Sequence, residues 1–482
     1  MMADASFSPT ATLVALALGA CSSVPEESGF PDAAALVHER GGLEIRWNRG
    51  GPEDAEVSAR VRALLESELD AEGAVAIALL RNRHLQALYE DLRIAQADLV
   101  EAGLLRNPIF HLEALFPESG GRVDLDLGLE EEFLSILYLP LRKRVAAASF
   151  EATKLRVAEH VLALAGTVRM GFYHLQGAEQ LVELLRTAHA ATEASAELAE
   201  RLHEAGNIRD LDLANELALQ EEAKLALAQA ELERTESRER LDALMGLFGP
   251  EASWTISSRL PELPAEDNPI TGIESRAVAA NLGLAQRRIE IEREAQRLGL
   301  TKKTRFTPDP VVGLGAERGS EGVWSVGPAL ALSIPLFDQG QPAVARAIAV
   351  LNSLQENYAA EAIELRSAVR LATSRVLGLR GRADFLRRVL VPLRTRIVEE
   401  TQLEYNAMQA GAFQLLMAKR DEIAAGAAYV AELRDYWIAS AELDQILAGA
   451  VPEMQQFSFE EARPLMSQSL STDRPIFFLQ AP

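Results

Sequence analysis

The side chains best able to do chemistry are few and scattered in this sequence. Cys21 is the single cysteine among 482 residues, so the chain alone can build neither an intramolecular disulfide nor a thiolate metal site. Seven histidines are spread along it with no HExxH motif and no histidine–carboxylate cluster of metal-ligand form. His189 and Glu193 share one helix face by spacing, which a solvated surface explains. GLGAER at 313–318 departs from the glycine spacing of a dinucleotide loop and sits in a strand-like stretch. No catalytic residue, metal site or cofactor is expected. Three groups remain that act by charge or acylation. They are the Cys21 thiol, the acids Asp210 and Asp212 in GNIRDLDLANE, and the bases Arg142, Lys143 and Arg144 in LPLRKRVAAA. A formal net charge of −23 disfavours nucleic acid, whose phosphates call for clustered Lys and Arg.

Cys21 lies in LALGACSS, directly behind the first hydrophobic stretch. Thr10 to Ala20 is uncharged, long enough for the core of a signal peptide and too short to span a bilayer. Gly19 and Ala20 place small residues where a signal peptidase cuts. The arrangement resembles the bacterial lipobox, which implies a signal peptide over 1–20 and an acylated Cys21. The first nine residues depart from that pattern, with Asp4 and no Lys or Arg. Beyond the signal there is no run of about 18 apolar residues, so entry into a membrane requires β-structure.

The elements that must position these groups occur twice. AIALLRNRHLQ at 76–86 has a counterpart in SRAVAANLGLAQ at 275–286, with Asn82 matching Asn281. Pro108 and Pro310 open extended segments, and Pro140 and Pro342 open long helical runs; both pairs are 202 apart. Each run breaks once, at Gly206 in EAGNI and Gly411 in QAGAF, 205 apart. Pro140 to Ala205 contains no proline and would reach about 100 Å as one helix. Leu211, Ala218, Leu225 and Leu232 recur every seven residues on the returning segment, a period that predicts helices wound around each other.

RVDLDLGLE at 122–130 alternates, with Val123, Leu125, Leu127 and Leu129 on one face and Arg122, Asp124, Asp126 and Glu130 on the other. Before the turn PESGG, Phe110, Leu112, Ala114 and Phe116 lie on one face of the neighbouring segment and Ile109, His111 and Glu113 on the other. The second half repeats this with Val312, Leu314 and Ala316, then Trp324, Val326, Leu330, Leu332 and Ile334. Each strand is expected to have about ten residues, enough to cross a bilayer at a tilt. Four strands cannot close a barrel, so spanning strands require several copies; three give twelve.

Helix, hairpin and broken helix pair, in duplicate, resemble the TolC family of outer membrane efflux channels. The resemblance is carried by AIALLRNRHLQALYEDLRIAQADLVEAGLLRNPIF at 76–110, IPLFDQGQPAVARA at 334–347 and the breaks at Gly206 and Gly411. It implies a mainly α chain with transmembrane β: a duplicated TolC-like α/β-barrel of four strands and long coiled-coil helices per chain. It also implies a homotrimer with a twelve-stranded barrel in the outer membrane. A periplasmic adaptor and an inner-membrane pump would dock at the hairpin tips marked by Gly206 and Gly411. Acidic rings at the mouth would come from Asp210 and Asp212 in one hairpin and from Asp421 and Glu422 beyond Gly411 in the other. Arg142, Lys143 and Arg144, in the first turn of a helix whose dipole disfavours them, would meet lipid phosphates.

The domain plan is a signal peptide (1–20), a lipoprotein segment and linker (21–73), a first repeat (74–250), a linker (251–272), a second repeat (273–450) and a tail (451–482). The function expected is the exit duct of a tripartite system for metal ions or small toxic compounds, with no enzymatic activity. The alternatives are a coiled-coil periplasmic lipoprotein whose sheet packs on itself, and the outer membrane component of type I protein secretion.

Overall fold

The computed structural model describes residues 24–25, 28–116, 122–265, 271–304, 311–319, 321–331 and 336–451. Cys21, the PESGG turn, Pro310, Leu332, Ile334 and the tail beyond 451 lie outside these residues. Two helices come first, α1 (Phe30–Gly41) and α2 (Glu53–Glu66), and their apolar sides bury Ala33, Val37, Val57 and Val61. Asp70 caps α3 (Ala71–Arg81) by accepting from the Gly73 N–H at 2.7 Å. Asn82 ends α3 and caps α4 (Arg83–Ala102), accepting from the Leu85 N–H at 3.0 Å. Strands β1 (Ile109–Leu115) and β2 (Asp124–Glu132) follow, and then α5 (Phe133–Glu204) and α6 (Asp210–Met245) form a long hairpin.

The second half repeats the order. It comprises α7 (Ile273–Ala280), α8 (Leu282–Thr304), β3 (Val311–Arg318), β4 (Trp324–Ala331) and α9 (Gln341–Phe385). A π-turn over Leu386–Leu390 leads to α10 (Val391–Asn406), and α11 (Ala412–Ala448) returns. The π-turn directly precedes Pro392, whose missing N–H and ring would otherwise break the regular ladder. Asn281 caps α8 as Asn82 caps α4, accepting from the Leu284 N–H at 2.7 Å.

The two return helices end on the same device. Gly246 (φ 70°) and Gly449 (φ 111°) cap α6 and α11 in the left-handed region. Each lies against the backbone just before a cap asparagine. A Cβ on Gly246 would stand 2.8 Å from the Arg81 carbonyl oxygen, and one on Gly449 would collide with the Ala280 carbonyl. Asn82 tightens the first junction by donating its amide to the Leu244 carbonyl at 2.8 Å. Sequence reading found the asparagines but not these glycines.

Three expectations are corrected. The long helix begins at Phe133, not at Pro140, and spans 72 residues, about 110 Å at 1.5 Å each. Strand β2 runs straight into it, so the chain is already helical when it reaches the proline and forgoes one hydrogen bond there. Strands β1 and β2 have 7 and 9 residues rather than about ten, and 8 residues each of β3 and β4 lie among the described residues. The leucine heptad is not the seam of the first hairpin: Leu211, Leu225 and Leu232 are 61%, 61% and 59% exposed. The seam facing α5 is a second heptad, with Glu216, Ala230 and Ser237 buried. Across it α5 buries Ala188, Ala196 and Ala199. Small side chains permit close helix approach, which leaves the leucines on the outside.

The main core lies where α1 to α4 pack on the lower half of α5, around Tyr89, Leu92, Val157, Val161, Val168, Leu175, Leu241 and Met245. No helix among the described residues is long and apolar enough to cross a membrane.

Candidate functional site

The four strands form one antiparallel sheet in the order β1-β2-β3-β4, so the second strand of the first repeat pairs with the first strand of the second. The register sorts the alternating residues into two faces. Phe110, Leu129, Leu314 and Pro328 stand in one row, and Leu112, Leu127, Ala316 and Val326 in the next. The same face carries Ala114, Leu125 and Trp324, with Arg318 in their row at one end and Glu131 at the other. This apolar face has nothing over it in a single chain: Phe110, Leu112, Leu314 and Leu330 are 60–64% exposed.

The opposite face is polar. Glu113, Asp126 and Glu317 lie side by side across three strands, with Ser325 completing the row. In the next row His111 is followed by Gly128, Gly315 and Gly327. The His111 ring lies over Gly128, where a side chain would otherwise sit, with Asp126 at 3.9 Å and Glu130 at 4.0 Å. Among the described residues neither β1 nor β4 has a partner on its outer edge.

At the far end of the helices, the two hairpin tips share one backbone design. In the first, the Gly206 N–H donates to the His203 carbonyl and the Asn207 N–H to the Leu202 carbonyl, each at 2.8 Å, with Gly206 at φ 74°. In the second, Met408 donates to Tyr405 at 2.9 Å and Gln409 to Glu404 at 2.8 Å, with Met408 at φ 59°. Both are Schellman turns. The equivalent of Gly206 is therefore Met408, and Gly411 instead matches Arg209 as the N-cap of the returning helix. This corrects the pairing of Gly206 with Gly411. It restores the 202-residue offset of the prolines. Met408 is the only described non-glycine residue with positive φ, and it is 95% exposed.

The candidate acids separate accordingly. Asp210 begins α6 at the tip, its side chain 97% exposed, with His203 at 3.4 Å. Asp212 is held by Arg209, which donates from Nε and from Nη2 at 2.9 Å each; these hydrogen bonds pull the Asp212 carboxyl below its usual range. At the offset of 202, Asp210 and Asp212 correspond to Ala412 and Gln414, so the second tip has no matching acids. Asp421 and Glu422 lie further up α11. Asp421 accepts from Arg394 and Glu422 from Lys419, each at 2.6 Å. The structure does not bring the two acid pairs together. It does link the return helices through Arg420 and Glu222, 3.7 Å apart.

The three bases also differ among themselves. Lys143 and Arg144 are exposed, whereas Arg142 is half-buried and donates to the Leu104 carbonyl at 2.9 Å, tying α5 to the end of α4. They stand about ten residues into α5 rather than in its first turn, because the helix starts at Phe133. Among the described residues no group of three or more His, Cys, Asp or Glu is arranged to hold a metal ion. His174 of α5, half-buried against Ser237 of α6 and near Arg434, is pushed down to about 4 by desolvation and stays neutral near pH 7.

Residues 139–247 match the model of the outer membrane efflux protein family. The match takes in most of α5 and all of α6. The family is one of outer membrane efflux channels, which are transporters and not enzymes. The cobalt-zinc-cadmium resistance protein CzcC of Cupriavidus metallidurans is 24% identical over 391 residues, covering 79% of this chain and 90% of its own. The outer membrane channel CmeC of Campylobacter jejuni superposes with a TM-score of 0.67 at 16% identity, over 86% of this chain and 91% of that one. The open state of the Neisseria gonorrhoeae channel MtrE gives 0.64 at 19% identity, over 80% and 91%.

Proposed function

We propose that the chain is the exit duct of a tripartite efflux system, working as a homotrimer with a periplasmic adaptor and an inner-membrane pump. The sheet carries this reading. Its exposed apolar face suits lipid, its opposite face is acidic, and its two free edges would each leave a row of backbone groups unpaired in a bilayer. Three copies joined β1 to β4 make a twelve-stranded barrel with no edge. The exposed leucine heptad of α6 is then covered by a neighbouring copy. The cargo is metal cations or small toxic compounds. The acidic row at Glu113, Asp126 and Glu317 and the relative named for cobalt, zinc and cadmium resistance support cations.

The hairpin tips marked by Gly206 and Gly411 face the adaptor, and Lys143 and Arg144 face lipid phosphates at the rim. Carboxylates near the mouth then select for cations. Purified protein in a planar bilayer should conduct with cation preference, and trivalent cations should block from the tip side. Asp210→Asn with Asp212→Asn should weaken both effects, more at low salt than at high, since screening acts over about 8–10 Å. Block that survives the double substitution would move the ring to Asp421 and Glu422. A pore without cation preference would refute the selective mouth altogether.

Cys21 anchors the mature chain through acyl groups, each buried methylene adding about 0.8 kcal/mol of membrane affinity. Cys21→Ser should abolish incorporation of a radioactive fatty acid and leave the protein unprocessed or soluble in the periplasm. Label retained in that variant would disprove the acylation site.

A further inference from the structure

The turn at the first hairpin tip holds a pair of side chains that its backbone does not require. His203, in the last turn of α5, and Asp210, at the start of α6, face each other with Nε2 and Oδ1 3.4 Å apart. The second tip makes the same Schellman turn and the same N-cap with Tyr405 and Ala412 at the equivalent positions. The turn therefore forms without the pair. Its role lies elsewhere.

The ring is oriented from its other side. His203 Nδ1 faces the Ile208 carbonyl oxygen at 3.4 Å. A carbonyl only accepts, so Nδ1 carries the hydrogen, and in the neutral ring the Nε2 lone pair points at the Asp210 carboxylate. Two electron-rich atoms face each other unless a cation lies between them. A charge-assisted hydrogen bond would draw them to about 2.7–2.9 Å. Two ligands each about 2.1 Å from a tetrahedral ion instead stand about 3.4 Å apart, which is the separation found. The Nδ1–carbonyl contact is also the usual outer support of a metal-binding histidine.

We propose that His203 and Asp210 form a divalent-metal site on the first hairpin tip, taking a borderline cation such as zinc, with water completing its shell. Asp210 is open to solvent on its free side, which leaves room for that water. Arg209, the nearest base in sequence, is committed to Asp212 and does not replace the ion. With two protein ligands the site binds weakly and exchanges readily. It is separate from the acidic row of the sheet and does not depend on which cargo the duct carries.

The test is zinc titration by calorimetry on the full-length protein in detergent, at about pH 7.5, above the ordinary histidine pKa of about 6.5. Saturable binding of one zinc per chain is expected. His203→Gln and Asp210→Asn should each weaken it at least tenfold, while His84→Gln leaves it unchanged. Copper(II) in place of zinc should show one imidazole nitrogen in its electron paramagnetic resonance spectrum, lost in His203→Gln. An unchanged oligomeric size and melting temperature in each variant establishes that the fold is intact. Zinc binding unaffected by Asp210→Asn would overturn the two-ligand site. Absence of saturable binding would overturn it as well, and would leave a proton on Nε2 as the cation between the pair.

Discussion

Leu127→Arg should keep the protein out of the outer membrane. Leu127 lies mid-strand in β2, between Leu112 of β1 and Ala316 of β3 on the apolar face. An arginine facing lipid near the midplane costs about 2–4 kcal/mol, and a trimer would carry the cost three times. One residue away, Asp126 already places a charge on the opposite face, beside Glu113 and Glu317. Asp126→Lys should therefore insert normally and alter only conduction. The comparison is made by fractionating membranes and scoring heat-modifiable oligomers on a gel. If Leu127→Arg assembles as well as Asp126→Lys, the apolar face does not meet lipid.

Alanine at Gly246 or Gly449 should be almost as damaging, for reasons confined to the helical body. Leaving the left-handed region free of a Cβ avoids about 1–2 kcal/mol. The new methyl would also press on the Arg81 or Ala280 carbonyl, and forcing atoms into such a contact typically costs about 1–3 kcal/mol more. Each change should lower the melting temperature of the purified protein clearly. Gly206→Ala, equally left-handed but with nothing within 4 Å of its Cβ position, should lower it by less, keeping the conformational cost without the close contact. Met408 shows that a tip turn accepts a side chain in that conformation. Equal losses at all three glycines would mean that backbone conformation alone, not the close approach, decides.

The repeat was legible because its punctuation is chemical. Asn82 and Asn281 announce caps, and prolines at a constant offset announce element starts. Alternation in RVDLDLGLE identified both faces of the sheet, since a period of two admits only one sorting once the register is set. The tip turn was misread because Gly411 drew the eye as a breaker. Its equivalent of Gly206 is Met408, and nothing in a methionine signals a left-handed backbone. The leucine heptad predicts a helix partner without naming it. Heptads mark a helix that has a partner, but not which partner, and here Ala230 and Ser237 serve the internal contact. Of the site, the acids could be found by type and position. That Asp212 is paired with Arg209 three residues before it depends on how the helix start is capped, and that Asp210 faces His203 needed the turn to bring residues seven apart together.

Central to this account is closure of the barrel by three copies through the outer edges of β1 and β4. Cysteines introduced one at a time along β1, such as Ala114→Cys, and along β4 on the same face, such as Val326→Cys, can be paired and cross-linked in isolated outer membranes. The single-cysteine controls also carry the native Cys21, so any cross-link through it would appear in them. At matching positions the account predicts a covalent trimer on a denaturing gel, with dimer as the intermediate and single-cysteine controls remaining monomeric. Monomer at every pairing, or cross-links forming only within one chain, would contradict it.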